Sequence, residues 1–177
     1  AGLDVVCANE ICEKASLTFK QNHEIRLDTR DIRDVKSSEI PDFDVMLAGF
    51  PCQAFSVAGY RQGFDDEKGR GNLYFELERI MEEKKPSVVL LENVKNLVGH
   101  DKGRTFSIIR NSMQSLGYEI HHKVMNACDY GDIPQNRERI YVVGFLDSGI
   151  SDCFKFPDKV QLETTIGDIF DFEERVD

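Results

Sequence analysis

Three segments of this 177-residue chain carry side chains of the kinds that catalysis commonly uses, each directly after a short apolar run. Glu10 follows the first run, Cys52 the second and Glu92 the third. In an open α/β sheet, ligands bind just beyond the carboxyl ends of the strands. We therefore predict that a nucleophilic thiol and two carboxylates face one edge of a sheet.

Four sequence blocks occur in a fixed order, of which the first contains Cys52 and the third contains Glu92. They are GFPCQAFS at residues 49–56, RGNLYFE at 70–76, ENV at 92–94 and QNRERIYVVGF at 135–145. Together they resemble the DNA cytosine-5 methyltransferases, over residues 5 to 145. A single Pro-Cys pair would be weak evidence, whereas four blocks in order are specific.

The resemblance implies a role for each candidate catalytic residue. Carbon 5 of cytosine is a poor nucleophile, so a thiolate, here Cys52, must first add to carbon 6. Glu92 would act as the acid at ring nitrogen N3. Arg139 would contact the cytosine ring, and Arg137 would help to set the site. The alternatives are a buried thiol, a solvated strand-end carboxylate and an exposed salt bridge of Arg139.

The methyl donor implied by the resemblance is S-adenosylmethionine. Glu10 ends the first predicted strand, where a carboxylate commonly accepts hydrogen bonds from ribose hydroxyls. Asp31, followed by Ile32, resembles the acid that contacts adenine, and Pro51 and Leu73 resemble residues that line the methyl-donor pocket. An exposed turn acid is the alternative role for Asp31. No metal site is predicted.

Short apolar runs alternate with helical patterns, which is typical of an α/β sheet with crossover helices. We predict strands at residues 4–8, 45–48, 88–91 and 140–145, a further extended run at 118–124, and helices at 13–19, 72–84 and 105–116. The resemblance implies a Rossmann-like S-adenosylmethionine-dependent methyltransferase fold. Its sheet would be mixed and mostly parallel, with helices on both faces, and incomplete at both ends. The glycines between residues 59 and 71 predict a mobile loop.

Composition narrows the classes of function. The formal net charge of −10 argues against a nonspecific nucleic-acid wrapper, because phosphate binding depends on Lys and Arg. No apolar run approaches the ~18 residues that cross a bilayer, so no membrane role is expected. The five cysteines are an odd number without a CxxC pair, which disfavours a disulfide framework or a zinc site.

We interpret residues 1–177 as the catalytic domain of such an enzyme, without its target-recognition domain. The glycine-rich motif that holds the methionine part of the cofactor is expected before Ala1, and the recognition region after Phe145. The chain would then be a truncated core or one subunit of a split enzyme. Its partners would be double-stranded DNA and a complementary subunit or segment that carries the recognition region.

The leading hypothesis is therefore a DNA cytosine-5 methyltransferase of a bacterial restriction-modification system, working in the cytoplasm. One alternative is a nucleic-acid-binding or scaffold relative that has lost turnover. Another is an RNA-directed cytosine-5 methyltransferase. The intact set of Cys52, Glu92 and Arg139 speaks against a loss of turnover.

Overall fold

A computed structural model describes residues 2–51 and 73–170. The chain divides into two compact units, Ala1–Val88 and Val89–Asp177. Cys52, the predicted helix start at Asn72 and the glycine-containing stretch 59–71 lie outside the described residues.

Over its described residues, 2–51 and 73–88, the first unit contains three strands and two helices. They are β1 (Ala8–Asn9), α1 (Glu13–Asn22), β2 (Leu27–Asp28), β3 (Val45–Gly49) and α2 (Leu73–Lys84), with 3-10 turns at Ile32–Asp34 and Ser37–Glu39. β1 and β2 are parallel. The predicted strand at residues 4–8 is wrong in extent, since only Ala8 belongs to β1. Val5 and Val6 are instead exposed, at 55% and 46%.

The core of the first unit forms where α2 packs. Tyr74, Ile80 and Met81 are buried on this helix, and the Tyr74 ring contacts Phe50 at a centroid distance of 5.7 Å. Phe50 follows β3 directly, so this contact fixes the path of the chain as it leaves the strand. The predicted strand at 45–48 and helix at 72–84 are confirmed over the described residues.

β4 (Val88–Val94) crosses the boundary in sequence: Val88 is the last residue of the first unit, and the rest of the strand belongs to the second unit. The second unit continues with α3 (Arg104–Ser115), β5 (Glu119–Asn126), α4 (Ala127–Tyr130), β6 (Glu138–Phe145), α5 (Ser148–Cys153) and α6 (Ile166–Ile169), with 3-10 turns at Lys95–Val98 and His100–Gly103. The strand order is β4–β6–β5. β5 and β6 are antiparallel, and their register pairs Asn126 with Glu138.

Apolar residues of α3 pack closely on β6. Ile109 and Met113 are fully buried, and a Cβ atom placed on Gly144 would lie 2.8 Å from Met113 Cε. Burial of Tyr118 beside this contact raises the pKa of its phenol to about 12. No helix in the described ranges is long and apolar enough to cross a membrane.

Candidate active site

The second unit brings together three of the predicted catalytic residues. Glu92 lies near the carboxyl end of β4, and Arg139 lies near the start of the adjacent strand β6. Arg139 Nε is 3.0 Å from Glu92 Oε1, and an Arg137 Nη atom is 3.8 Å from the same oxygen. The Arg139 side chain is the more shielded, with 21% exposed against 50% for Arg137. The arrangement is a carboxylate held by two cations at the ends of neighbouring strands.

Local contacts fix the direction of these side chains. Arg139 Nη1 also donates to the carbonyl oxygen of Glu138 at 2.9 Å. Asn93 is buried, and its Oδ1 accepts a hydrogen bond from the backbone N–H of Val94 at 2.8 Å. The Asn93 side chain therefore shapes the chain directly after Glu92.

Asn126 is a residue of this site that sequence reasoning missed. Its Oδ1 accepts from the backbone N–H of Arg137 at 2.9 Å, and its Nδ2 donates to Asn136 Oδ1 at 2.6 Å. Asn126, the last residue of β5, thus stabilises the turn that precedes Arg139. Nothing in the sequence alone singles out this asparagine, because the contact depends on the register of β5 and β6.

The first unit contains a cavity of about 990 Å³. All four residues predicted to bind the cofactor line it: Glu10, Asp31, Pro51 and Leu73. Ile32, which was expected to accompany Asp31, lines it too. The structure therefore brings together residues from the end of β1, a 3-10 turn, the end of β3 and the start of α2.

Glu10 is placed at the entry to α1. Its Oε1 accepts from the backbone N–H of Cys12 at 2.8 Å, and its carbonyl oxygen accepts from Ser16 Oγ at 2.9 Å. The neighbouring Asn9 side chain donates to the carbonyl oxygens of Asp28 and Arg30, which ties β1 to the chain beyond β2. The bond from Cys12 orients the Glu10 carboxylate, and Glu10 lines the cavity.

Asp31 is held by its own neighbour in the chain. Its Oδ1 accepts from the backbone N–H and Nε of Arg33, both at 2.9 Å. Hydrogen bonds from Arg33 lower the pKa of Asp31 to about 2, so the carboxylate stays ionised at neutral pH. Asp31 is therefore a turn acid and part of the cavity wall, but its side chain is only 18% exposed, unlike the exposed turn acid of the alternative role.

The cavity suits S-adenosylmethionine in size and in the chemistry of its walls. Glu10 and Asp31 offer carboxylates to hydroxyl and amine donors, while Ile32, Leu73 and Leu77 offer apolar surface to a flat base. A thiol also lines the cavity, since Cys7 lies beside β1, and burial raises its pKa. The residues present therefore fit this cofactor.

Comparison with known proteins decides the family. The C-5 cytosine-specific DNA methylase family matches residues 1–176. The chain belongs to this family. It is 50% identical over 174 residues to the type II methyltransferase M.Bsp6I of a Bacillus species, covering 98% of this chain and 55% of that protein. It is 44% identical over 168 residues to M.HhaI of Haemophilus parahaemolyticus, covering 95% and 50%.

Solved structures support the same fold. The Dnmt2 methyltransferase of Schizosaccharomyces pombe has a TM-score of 0.65 at 22% identity, covering 98% of this chain and 49% of that one. The methyltransferase EhMeth of Entamoeba histolytica has a TM-score of 0.64 at 20% identity, covering 89% and 48%. The fold is the Rossmann-like fold of S-adenosylmethionine-dependent methyltransferases, as predicted. The chain spans about half the length of the curated relatives it matches.

Proposed function

We propose that the intact protein, meaning this chain with whatever flanking sequence its gene encodes, methylates carbon 5 of cytosine in double-stranded DNA. The observation that carries the proposal is the Glu92 carboxylate, held at 3.0 Å by Arg139 beside the end of β4. The nearest nitrogens of both arginines approach Oε1 of this carboxylate. In this role the bacterial cytoplasm is the site of action, within a restriction-modification system.

The target cytosine must leave the duplex, because its ring is unreachable when stacked. The Cys52 thiolate then forms a bond to carbon 6, and the electron pair of the C5–C6 double bond moves to carbon 5. Glu92 delivers a proton to N3, which relieves the negative charge that builds on the ring. Arg139 orients both the Glu92 carboxylate and the ring.

Bound S-adenosylmethionine supplies the methyl group that carbon 5 takes up. Loss of the carbon 5 proton to solvent then re-forms the C5–C6 double bond as the bond between Cys52 and carbon 6 breaks and releases the thiolate, and the N3 proton returns to Glu92. In the proposed cofactor cavity, Glu10 accepts hydrogen bonds from the ribose and Asp31 from the adenine. Pro51 and Leu73 line the methyl end. The cofactor residues thus bind and orient, and the cysteine and glutamate carry out the bond changes.

We further propose that residues 1–177 are the catalytic part of the enzyme and that additional polypeptide completes it. The cavity wall includes apolar side chains that are 46–66% exposed: Leu3, Val5, Val6, Ile11 and Leu47. Exposed apolar side chains gathered around one cavity are expected where another segment or subunit packs. That polypeptide would also carry the target-recognition region.

Trapping with 5-fluorocytosine tests the catalytic proposal. Duplex DNA with 5-fluorocytosine at every cytosine is incubated with the intact protein and S-adenosylmethionine, and covalent adducts are resolved on a denaturing gel. We expect an adduct with the unaltered protein and with Cys153→Ser, whose thiol is exposed in the second unit. Cys52→Ser should form none. An adduct with Cys52→Ser would remove this residue from the mechanism, and an adduct with RNA alone would favour the RNA-directed alternative.

The role of additional polypeptide has its own test. The 177-residue chain is assayed for transfer of a labelled methyl group to DNA, alone and with the remaining segments added in trans. We expect no turnover by the chain alone and recovery on addition. Robust turnover by the chain alone would contradict this part of the proposal.

A further inference from the structure

The side chain of Arg79, on α2, lies outside the catalytic cluster and contacts four residues of the first unit. Its Nη1 donates to Ser37 Oγ at 2.6 Å, and its Nη2 donates to the carbonyl oxygens of Val35 at 2.9 Å and Ile32 at 3.3 Å. Its Nε pairs with Glu76 on the same helix at 2.9 Å. One guanidinium therefore joins α2 to both 3-10 turns of the first unit.

The groups that Arg79 joins are two walls of the cavity. Ile32 and Val35 line it from the turn side, and Leu73 and Leu77 line it from α2. Arg79 itself is not among the lining residues in the part of the chain that the structure describes. Its guanidinium thus holds residues of the cavity wall in place and does not itself line the cavity.

The chemistry of the contacts requires arginine. A planar guanidinium offers five N–H donors in a fixed fork, whereas an ammonium is a point charge on a flexible stem. Here the donors serve a buried hydroxyl, two carbonyl oxygens and a carboxylate. Without the fork, the carbonyl oxygens of Ile32 and Val35 lose a partner, and the turn that carries Asp31 is free to shift relative to α2.

We propose that Arg79 is a positioning residue for the methyl donor, setting the spacing between the Asp31–Ile32 wall and the α2 wall of the cavity. This inference rests on the proposed function of that cavity. It concerns affinity for the cofactor and leaves the chemistry at Glu92 unaffected.

The test compares Arg79→Met and Arg79→Lys in the intact protein with Arg104→Met as the matched control. Arg104 pairs with the residue three positions before it, Asp101, as Arg79 pairs with Glu76, but its side chain is 64% exposed. The readouts are the Kd for S-adenosylmethionine, the Kd for DNA, the single-turnover rate at saturating cofactor and the urea midpoint.

We expect Arg79→Met to weaken cofactor binding about tenfold, the order expected when charge-assisted hydrogen bonds are lost, and Arg79→Lys to recover part of it. DNA affinity and the saturated single-turnover rate should stay within about twofold of the unaltered protein, and the control should match it throughout. Ser37→Ala, which removes only the Nη1 partner, should weaken cofactor binding by less than Arg79→Met.

Unchanged cofactor affinity in folded Arg79→Lys and Ser37→Ala would overturn the inference. So would a lowered urea midpoint with unchanged cofactor affinity, since Arg79 would then only stabilise the fold. If Arg79→Met does not fold, the other two variants decide. Failure of the unaltered protein to bind S-adenosylmethionine would instead overturn the proposed function of the cavity, and this inference with it.

Discussion

The candidate cofactor carboxylates of the first unit and the candidate catalytic carboxylate of the second are held by different kinds of contact. Asp31 pairs with Arg33, two residues further along the chain. Asp28, which also lines the cavity but is not a candidate cofactor residue, pairs in the same way with Arg30, and hydrogen bonds from Arg30 lower the pKa of Asp28 to about 2. Glu92 instead pairs with Arg139 on a neighbouring strand.

The two arrangements differ in what they need in order to form. A pair between residues two apart forms as soon as the local turn forms, and its exposed side chains contribute little free energy. The pair of Glu92 and Arg139 exists only when β4 and β6 are aligned. We therefore expect substitutions in the long-range pair of Glu92 and Arg139 to change the reaction rate, and the local pairs of the first unit to affect mainly how stability depends on pH.

Glu92→Gln should have the largest effect. Glutamine keeps the shape and can donate a hydrogen bond to N3, but it cannot deliver a proton. Single-turnover methyl transfer by the intact protein should slow by roughly 10²–10⁴-fold, while equilibrium binding of DNA and cofactor stays near normal. Glu119→Gln, an exposed carboxylate at the far end of β5, is the control. Weaker cofactor binding at an unchanged rate would place Glu92 in the scaffold or the cofactor pocket.

Arg139→Met should come next, and it should exceed Arg137→Met. Arg139 lies nearer to Glu92 Oε1, at 3.0 Å against 3.8 Å, and is less exposed. Loss of a hydrogen bond to a charged group costs about 1.5–3 kcal/mol, so we expect a rate loss of about 10–100-fold for Arg139→Met. Arg137→Met should lose only a few-fold. The single-turnover rates of the two variants are compared. Equal rate losses would show that the distance from Glu92 does not determine how much each arginine contributes to the rate.

Gly144→Ala tests the close packing of α3 on β6, the strand that carries Arg139. The added methyl group would meet Met113 and Tyr118, and overpacking of this kind typically costs about 1–3 kcal/mol. Urea unfolding should show this loss, and Gly99→Ala, where a Cβ meets nothing within 4 Å, should show a smaller one. An equal loss in both variants would contradict the close packing of α3 on β6.

Arg33→Gln should have the smallest effect. The folded-state pKa of Asp31, about 2, lies below its ordinary value of 3.8, so the pair stabilises the fold above that ordinary value. This stability is lost as the pH falls from about 4 toward 2. The free energy of unfolding of the variant, measured with urea, should therefore lie below that of the unaltered protein at pH 6, by less than about 1 kcal/mol, and the two values should converge as the pH falls to 2 and below. High salt is the control, because it should shrink the difference at pH 6. A difference that grows toward low pH would contradict a lowered pKa for Asp31.

Most elements could be predicted because their side-chain periodicity is local. The apolar runs that became β3, β4 and β6 were identified, and so were α2 and α3. The first strand was predicted at residues 4–8, whereas β1 covers only Ala8–Asn9. A strand needs a hydrogen-bonded partner, and β1 pairs with β2 over only these two residues. The sequence did not predict β2 or the short helices α4, α5 and α6, because segments of two to six residues are too short to show a periodic hydrophobic pattern.

The sequence by itself determined the family and the residue types of the site, since the blocks around Cys52, Glu92 and Arg139 are contiguous in the chain. It also contained the local pair of Asp31 and Arg33, which their spacing could have revealed. Only the tertiary structure decided that Glu92 pairs with Arg139, that Asn126 stabilises the turn before Arg139 and that Arg79 joins two cavity walls. Each of these contacts links residues far apart in sequence, so its geometry depends on strand order, register and helix packing, which no local pattern specifies.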